Sequence, residues 1–453
     1  MTRRVDLTQG SVVKHVLRMT PPMAMAFFAM LAFNLVDTWF VSKLGTEALA
    51  AMGFTFPVVM ISHAIAMGLG MGVSATVSRA IGAQDNERVQ LLSTYSLLLT
   101  FVIMLVLSAL VFIFRYELLG LLGAEGLALE LSSKYIAWWL LFTPIGLIPM
   151  VGNSAIRSTG DTLRPGIIMS VAALINIVLD PIFIFGWGPV PAMGVTGAAL
   201  ATGVSRLITF VWAIWVMHYR CQLLNLHWAG IRKIIQSWGS VLQTALPSMA
   251  TSMLAPLSGG VITRMIASHG EAAVAATAAG QRIEYLTYLV PMAMGATLVP
   301  IIGQNWGAGR IDRVREVWRK TNWFGLGYGV ISLILAIPLA RPVAELFSND
   351  PYIIELISNY LVIILCGAIF IHSEVHTGFA FNAIQRPLTA SFLRLCRYVF
   401  LLIPLTWLGG RLFGLYGIYI GMAASFAIAG AVSISWFAVF IKKQEVAYNR
   451  GSA

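Results

Sequence analysis

The chain has 453 residues, 58% hydrophobic and only 11% charged, with a mean hydropathy of +0.81. Soluble domains carry nearer a quarter charged residues, so there is too little polar side chain here to coat a globule, and a soluble enzyme of this length is excluded. The net charge of +11 would suggest nucleic acid in a soluble protein; in a membrane chain it reads as Lys and Arg retained on the cytoplasmic side, and no nucleic-acid partner is expected.

In chain order, residues 1–20 are basic and amphipathic, with neither a short apolar core nor a cleavage site. They are expected to form a cytosolic lead-in helix rather than a signal peptide. Apolar stretches follow at roughly 18–42, 48–80, 90–114, 131–155, 165–187, 194–217, 238–266, 272–304, 320–340, 353–380, 388–409 and 414–441. They are long and continuous rather than alternating, which excludes a β-barrel and predicts about twelve transmembrane helices in the lipid bilayer. The connections alternate in charge. One set, running from Arg3 and Arg4 through Arg79, Arg157, Arg313 and Arg397 to Arg450, holds about 22 basic residues; the other holds Lys43, Arg115, Lys134, Arg264, Arg341 and Arg411. The retention rule makes the first set cytoplasmic and puts both termini inside a plasma (inner) membrane.

The two halves resemble each other. At a constant shift of 225, LGTEALAA from Leu44 falls on HGEAAVAA from His269, Pro22 on Pro247, Gly70 on Gly295 and Gly82-Ala83 on Gly307-Ala308. Later the shift slips, pairing Pro181 with Pro404 and Gly194-Val195 with Gly417-Ile418. This predicts an all-α integral membrane protein with two six-helix lobes, 1–220 and 237–453, joined by a polar cytoplasmic linker at 221–236. A parallel repeat relates the lobes by a pseudo-two-fold axis along the membrane normal, an arrangement suited to alternating access.

The halves differ where charge is deepest. Asp37 and Asp180 lie inside the first and fifth spans, and Ile262 and Ile403 occupy their repeat positions. Asn34 precedes Asp37 by three residues and Asn176 precedes Asp180 by four, so each amide is expected on its acid's helix face. Intramembrane acids are costly and read as a titratable or cation-binding pair, taking H+ or Na+; a structural hydrogen-bonding role is the alternative. His372 and His376 share a face at metal-pair spacing, but Glu374 projects away from it. No metal site is expected there, and the three residues form a second polar site. Met23, Met30, Met169 and Asn34 are candidates to line a substrate cavity, thioethers being adaptable packers. Arg206 is expected toward the cytoplasmic end of its span. No Walker motif exists, so ATP is not the energy source, and no cofactor is expected beyond the coupling ion.

The order NLVDTWFVSKLGTEALAAMGF, GAQDNERV, AIRSTGDTLRP, NIVLDPIFIFG and MGVTGAALAT resembles the multidrug and toxic compound extrusion (MATE) family, most similarly its DinF-like branch. The resemblance covers nearly the whole chain. It implies twelve helices in two lobes and a monomeric secondary transporter, not an enzyme. Such a transporter exports organic cations and other amphiphiles against inward H+ or Na+. It further implies a cation-coupling site in the amino-terminal lobe built from Asp37, Asn176 and Asp180, with Thr202 as the sixth-span hydroxyl and Tyr135 and Asn153 in the surrounding network. Another branch places an acid in the seventh span; this chain has none there. A lipid-linked oligosaccharide flippase of the same superfamily is the alternative, disfavoured by the few arginines within the spans.

Overall fold

The computed structural model describes residues 5–225 and 227–451, and of 448–451 the backbone alone. Arg3, Arg4 and the Arg450 side chain lie outside what is described. Among the described residues no strand forms beyond an isolated bridge between Trp187 and Val190. The helices are α1 (Val12–Ser42), α2 (Thr46–Gly82), α3 (Asn86–Ile113), α4 (Arg115–Leu121), α5 (Gly126–Gly146), α6 (Ile148–Ser158), α7 (Leu163–Phe185) and α8 (Val195–Trp215). After them come α9 (Ile231–Ser252), α10 (Leu254–Ala267), α11 (Glu271–Gly307), α12 (Ile311–Ala344), α13 (Pro351–Ala383), α14 (Pro387–Leu395) and α15 (Ile403–Gly451). Among the described residues the apolar helical stretches number 11, and the last, Pro387–Ala447, runs to 61 residues, far more than one crossing needs. It breaks at Phe413 and Gly414, where the backbone leaves the helical region, so the chain makes twelve crossings. The protein is an all-helical, multi-pass membrane protein, as its composition predicts.

The repeat is visible in the backbone. Left-handed residues close helices at Gly45 and Gly270, at Gln84 and Gly309, and at Gly160 and Gln385, each pair 225 residues apart. At the start of α8 Gly194 has φ 57° and ψ −132°, and Gly414 repeats that conformation at φ 60° and ψ −141°, 220 residues later. The helix contact that follows keeps the register of the sequence reading to within one residue: a Cβ at Gly197 would lie 2.3 Å from the Phe183 carbonyl oxygen, and one at Gly421 would lie 2.4 Å from that of Leu405. Glycine takes the left-handed conformation without a Cβ penalty.

The chain divides into two compact units. Unit 1 comprises Pro21–Met249 with Val5 and Asp6; unit 2 comprises Leu7–Thr20 with the chain from Ala250 onward. In unit 1, Leu69, Val73 and Val77 of α2 pack with Leu92, Val151, Ala155 and Ala213. Val241 and Ala245 of α9 join this core because Gly72 lets α9 come close: a Cβ there would sit 2.5 Å from the Val241 carbonyl oxygen. In unit 2, Ile262, Ala276, Ile357, Tyr360, Ile364 and Tyr419 form the corresponding core. The segment before α1 is tied into unit 2, with Leu7 N–H donating to Gln304 Oε1 (3.0 Å) and Arg313 Nη2 to the Gly10 carbonyl (3.0 Å). The boundary falls at Pro21-Pro22, inside continuous α1, where two successive N–H donors are missing from the helix.

Candidate functional site

The small residues of Gly197-Ala198-Ala199-Leu200-Ala201-Thr202-Gly203 determine how closely α8 meets its neighbours. A Cβ at Gly197 would lie 2.3 Å from the Phe183 carbonyl oxygen of α7, and one at Gly203 would lie 2.2 Å from the Phe142 ring of α5. Between these two contacts Thr202 faces α7. Asn176 and Asp180 are one helical turn apart on that helix, so both present the same side to it. With the Asn176 amide turned to satisfy all its neighbours, its nitrogen donates to Asp180 Oδ2 at 2.9 Å. Its oxygen then accepts from the Thr202 hydroxyl at 3.2 Å and the Thr202 N–H at 3.1 Å. All three side chains are buried, Asp180 completely.

Asp37 reaches the same region from α1. It is buried, and its Oδ1 has no hydrogen-bond partner among the described residues. Asp37 and Asp180 act on each other electrostatically, and both act on Tyr135 of α5. Three predicted residues therefore assemble around Asp37 and Asp180: Asn176 and Thr202 by hydrogen bonds and Tyr135 by proximity. Asn153 is buried on α6, and among the described residues its Oδ1 has no hydrogen-bond partner. Asn34 does not join the cluster. It is exposed, and its amide donates to the Met30 carbonyl one turn back (2.8 Å), an outlet open to any helical Asn. Of the methionines, Met23 is fully buried, Met169 half-buried and Met30 exposed.

Arg206, expected toward the cytoplasmic end of its span, has its side chain in this cluster. Its guanidinium lies over the Trp139 ring (5.1 Å) and within electrostatic reach of Asp37 and Tyr135. His63 Nδ1 bonds to the Val59 carbonyl (2.8 Å), which leaves Nε2 to accept from Arg206 Nη2 at 3.4 Å.

Unit 2 has buried acids of its own, at other positions than the isoleucines that replace Asp37 and Asp180. Glu374 pairs with Arg397 (2.8 Å), a residue counted from sequence among the basic connections but in fact buried. His372 sits edge-on between the rings of Tyr288 and Tyr328, and His376 Nε2 meets the Pro291 carbonyl at 3.2 Å. Neither histidine bonds to Glu374, so the predicted trio is dispersed over three environments. Glu284, not assigned a partner from sequence, accepts a short hydrogen bond from Tyr360. The signal was available: Tyr360 lies 225 residues after Tyr135, the repeat shift itself.

The MatE family model matches residues 22–182 and 247–408. A protein of Shewanella oneidensis named "FAD transporter" is 36% identical over 433 residues, 95% of each chain. The "Probable multidrug resistance protein YoeA" of Bacillus subtilis is 22% identical over 89% of this chain and 88% of its own. The crystal structure of the Vibrio cholerae MATE transporter VcmN in its bent form superposes with a TM-score of 0.91 at 30% identity, covering 96% of this chain and 98% of that one.

Proposed function

The chain belongs to the MATE family of transporters, and on that premise we propose that it is a secondary active exporter driven by inward H+ or Na+. The observation that carries this reading is the buried Asp37–Asp180 pair with Asn176 and Thr202, in which Asp37 keeps an oxygen free of hydrogen bonds. Leaving a buried acceptor unsatisfied costs about 1–3 kcal/mol, and a proton or small cation arriving there recovers it. Loading the site displaces a cationic amphiphile from the same lobe. The two lobes then rock about α1, whose prolines 21 and 22 mark the change of unit. The protein works as a monomer in the inner membrane with both termini cytoplasmic, and it belongs to the DinF-like branch.

Two cargo classes fit the relatives. Aromatic, amphiphilic drugs follow from the multidrug-resistance relatives, and FAD follows from the Shewanella protein, whose identity to this chain is higher. Both favour an exporter of soluble amphiphiles over a lipid-linked oligosaccharide flippase.

The test is flux from proteoliposomes under an imposed pH, sodium or voltage gradient. One charge crossing 100 mV is worth about 2.3 kcal/mol, but exchange of one proton for one monovalent cation moves no net charge. A pH gradient alone should therefore drive ethidium; flux under voltage alone would require a second coupled cation, and indifference to every gradient would refute cation coupling.

A further inference from the structure

Arg206 is a costly residue that the coupling chemistry above does not use. It is largely enclosed by α2, α5 and α8, yet among the described residues it forms no ion pair. Its polar contact is the long one to His63, and the Trp139 ring covers one face. A guanidinium carries five N–H donors, so most of its fork is left without a protein acceptor. The fold makes room for it: a Cβ at Gly146 would come within 2.8 Å of Arg206 Cδ. Asp37 offsets its charge from a distance, but among the described residues no carboxylate reaches its donors, and a visiting anion would satisfy them. Its planar fork matches a phosphate, which a lysine would hold only as a point charge.

We infer that Arg206, held by Trp139 and His63, is the binding residue for the phosphate groups of aromatic phosphate-bearing substrates such as flavin and nucleoside phosphates. The inference rests on the flavin-dinucleotide reading of the cargo. Charge balance then gives such substrates a linkage opposite to that of cationic drugs. The titratable groups around the guanidinium are His63 from α2, in contact with it, and Asp37 from α1 and Tyr135 from α5, within electrostatic reach, with Asp180 of α7 acting on Tyr135 and Asp37. On α6, which also packs against α8, Arg157 donates to Ser154. With both acids ionised the cluster is net negative; each proton loaded onto them makes it more favourable to a phosphate and less favourable to a cation. By reciprocity, a bound phosphate also favours proton loading. A phosphate-bearing substrate leaving the cell moves with the inside-negative potential, so its export needs no opposing proton.

The experiment is equilibrium binding to the purified full-length protein in nanodiscs, with FAD, riboflavin and ethidium as probes at pH 6 and pH 8. Wild type should bind FAD more tightly at pH 6 and ethidium more tightly at pH 8. Arg206→Gln should weaken FAD on the order of tenfold or more, the worth of a charge-assisted hydrogen bond, and tighten ethidium. Arg206→Lys should fall between, and it decides the matter if the glutamine variant does not fold. Equal FAD affinity in wild type and variants overturns the assignment of Arg206 while leaving flavin export intact. An equal loss of riboflavin, which lacks phosphate, also overturns it by showing a structural effect. Wild type that binds ethidium but not FAD removes the flavin reading itself.

Discussion

Arg397 donates to Glu374 at 2.8 Å with both side chains buried in unit 2, at 11% and 2% exposure. The same guanidinium donates to the Tyr398 hydroxyl and lies against the Tyr398 and Phe426 rings at 4.2 and 5.5 Å. Desolvating two charges offsets most of their attraction, so the pair as a whole adds little stability. Removing one partner is different, because it leaves the other charge buried alone. Glu374→Ala is expected to cost about 3–5 kcal/mol, read as a fall in thermal unfolding temperature in detergent. The double variant Glu374→Leu with Arg397→Met should recover most of that loss. A single variant as stable as wild type would show that the pair is solvated or unformed.

Asp180→Asn and Asp37→Asn keep side-chain volume and remove one charge each. If these acids carry the coupling ion, substrate added to detergent-solubilised wild type at fixed pH should release protons, and each variant should release fewer. Transport against a pH gradient should fall at least tenfold in both. Thr202→Val should give a milder loss, because it removes the hydroxyl bonded to Asn176 while leaving the Thr202 N–H in place. Unchanged proton release in Asp37→Asn would remove that residue from the coupling site.

The legible part of this site follows from local spacing. Asn176 and Asp180 meet because four residues make one helical turn, and Thr202 reaches them because the glycines around it bring α8 close. Asn34 has the same kind of spacing to Asp37 but bonds to its own backbone, a competition that spacing does not reveal. The partners of Arg206, Arg397 and Glu284 are His63, Glu374 and Tyr360, which come from other helices, and spacing along one helix does not reveal them. For twelve crossings hydropathy suffices, since length and apolarity are all a span requires. Backbone conformation within the repeat is harder: the left-handed φ shared by Gly194 and Gly414 leaves only a weak trace among apolar letters.

Gly203 offers a steric test of the α5–α8 approach. Its missing Cβ leaves space that the Phe142 ring fills, with an added Cβ only 2.2 Å from a ring carbon. Gly203→Ala should therefore cost about 1–3 kcal/mol by overpacking and reduce transport by displacing neighbouring Thr202. Phe142→Leu combined with Gly203→Ala should restore both. Rescue of stability without transport would separate packing of the lobe from the placement of Thr202.

Orientation is the remaining expectation that a simple measurement decides. The connection after α2 and the one after α1 differ in charge class, with Arg79 and Arg88 flanking the first and Lys43 in the second. Basic residues are retained on the cytoplasmic side, so Ala83, at the end of α2, should face inward and Lys43 outward. In a background lacking Cys221, Cys366 and Cys396, a membrane-impermeant maleimide applied to intact spheroplasts should label the Lys43→Cys variant and spare Ala83→Cys until the membrane is opened. Because adjacent connections lie on opposite faces, the reverse pattern would invert all twelve crossings at once. It would also place the more basic set of connections outside, against the retention rule from which both cytoplasmic termini were inferred.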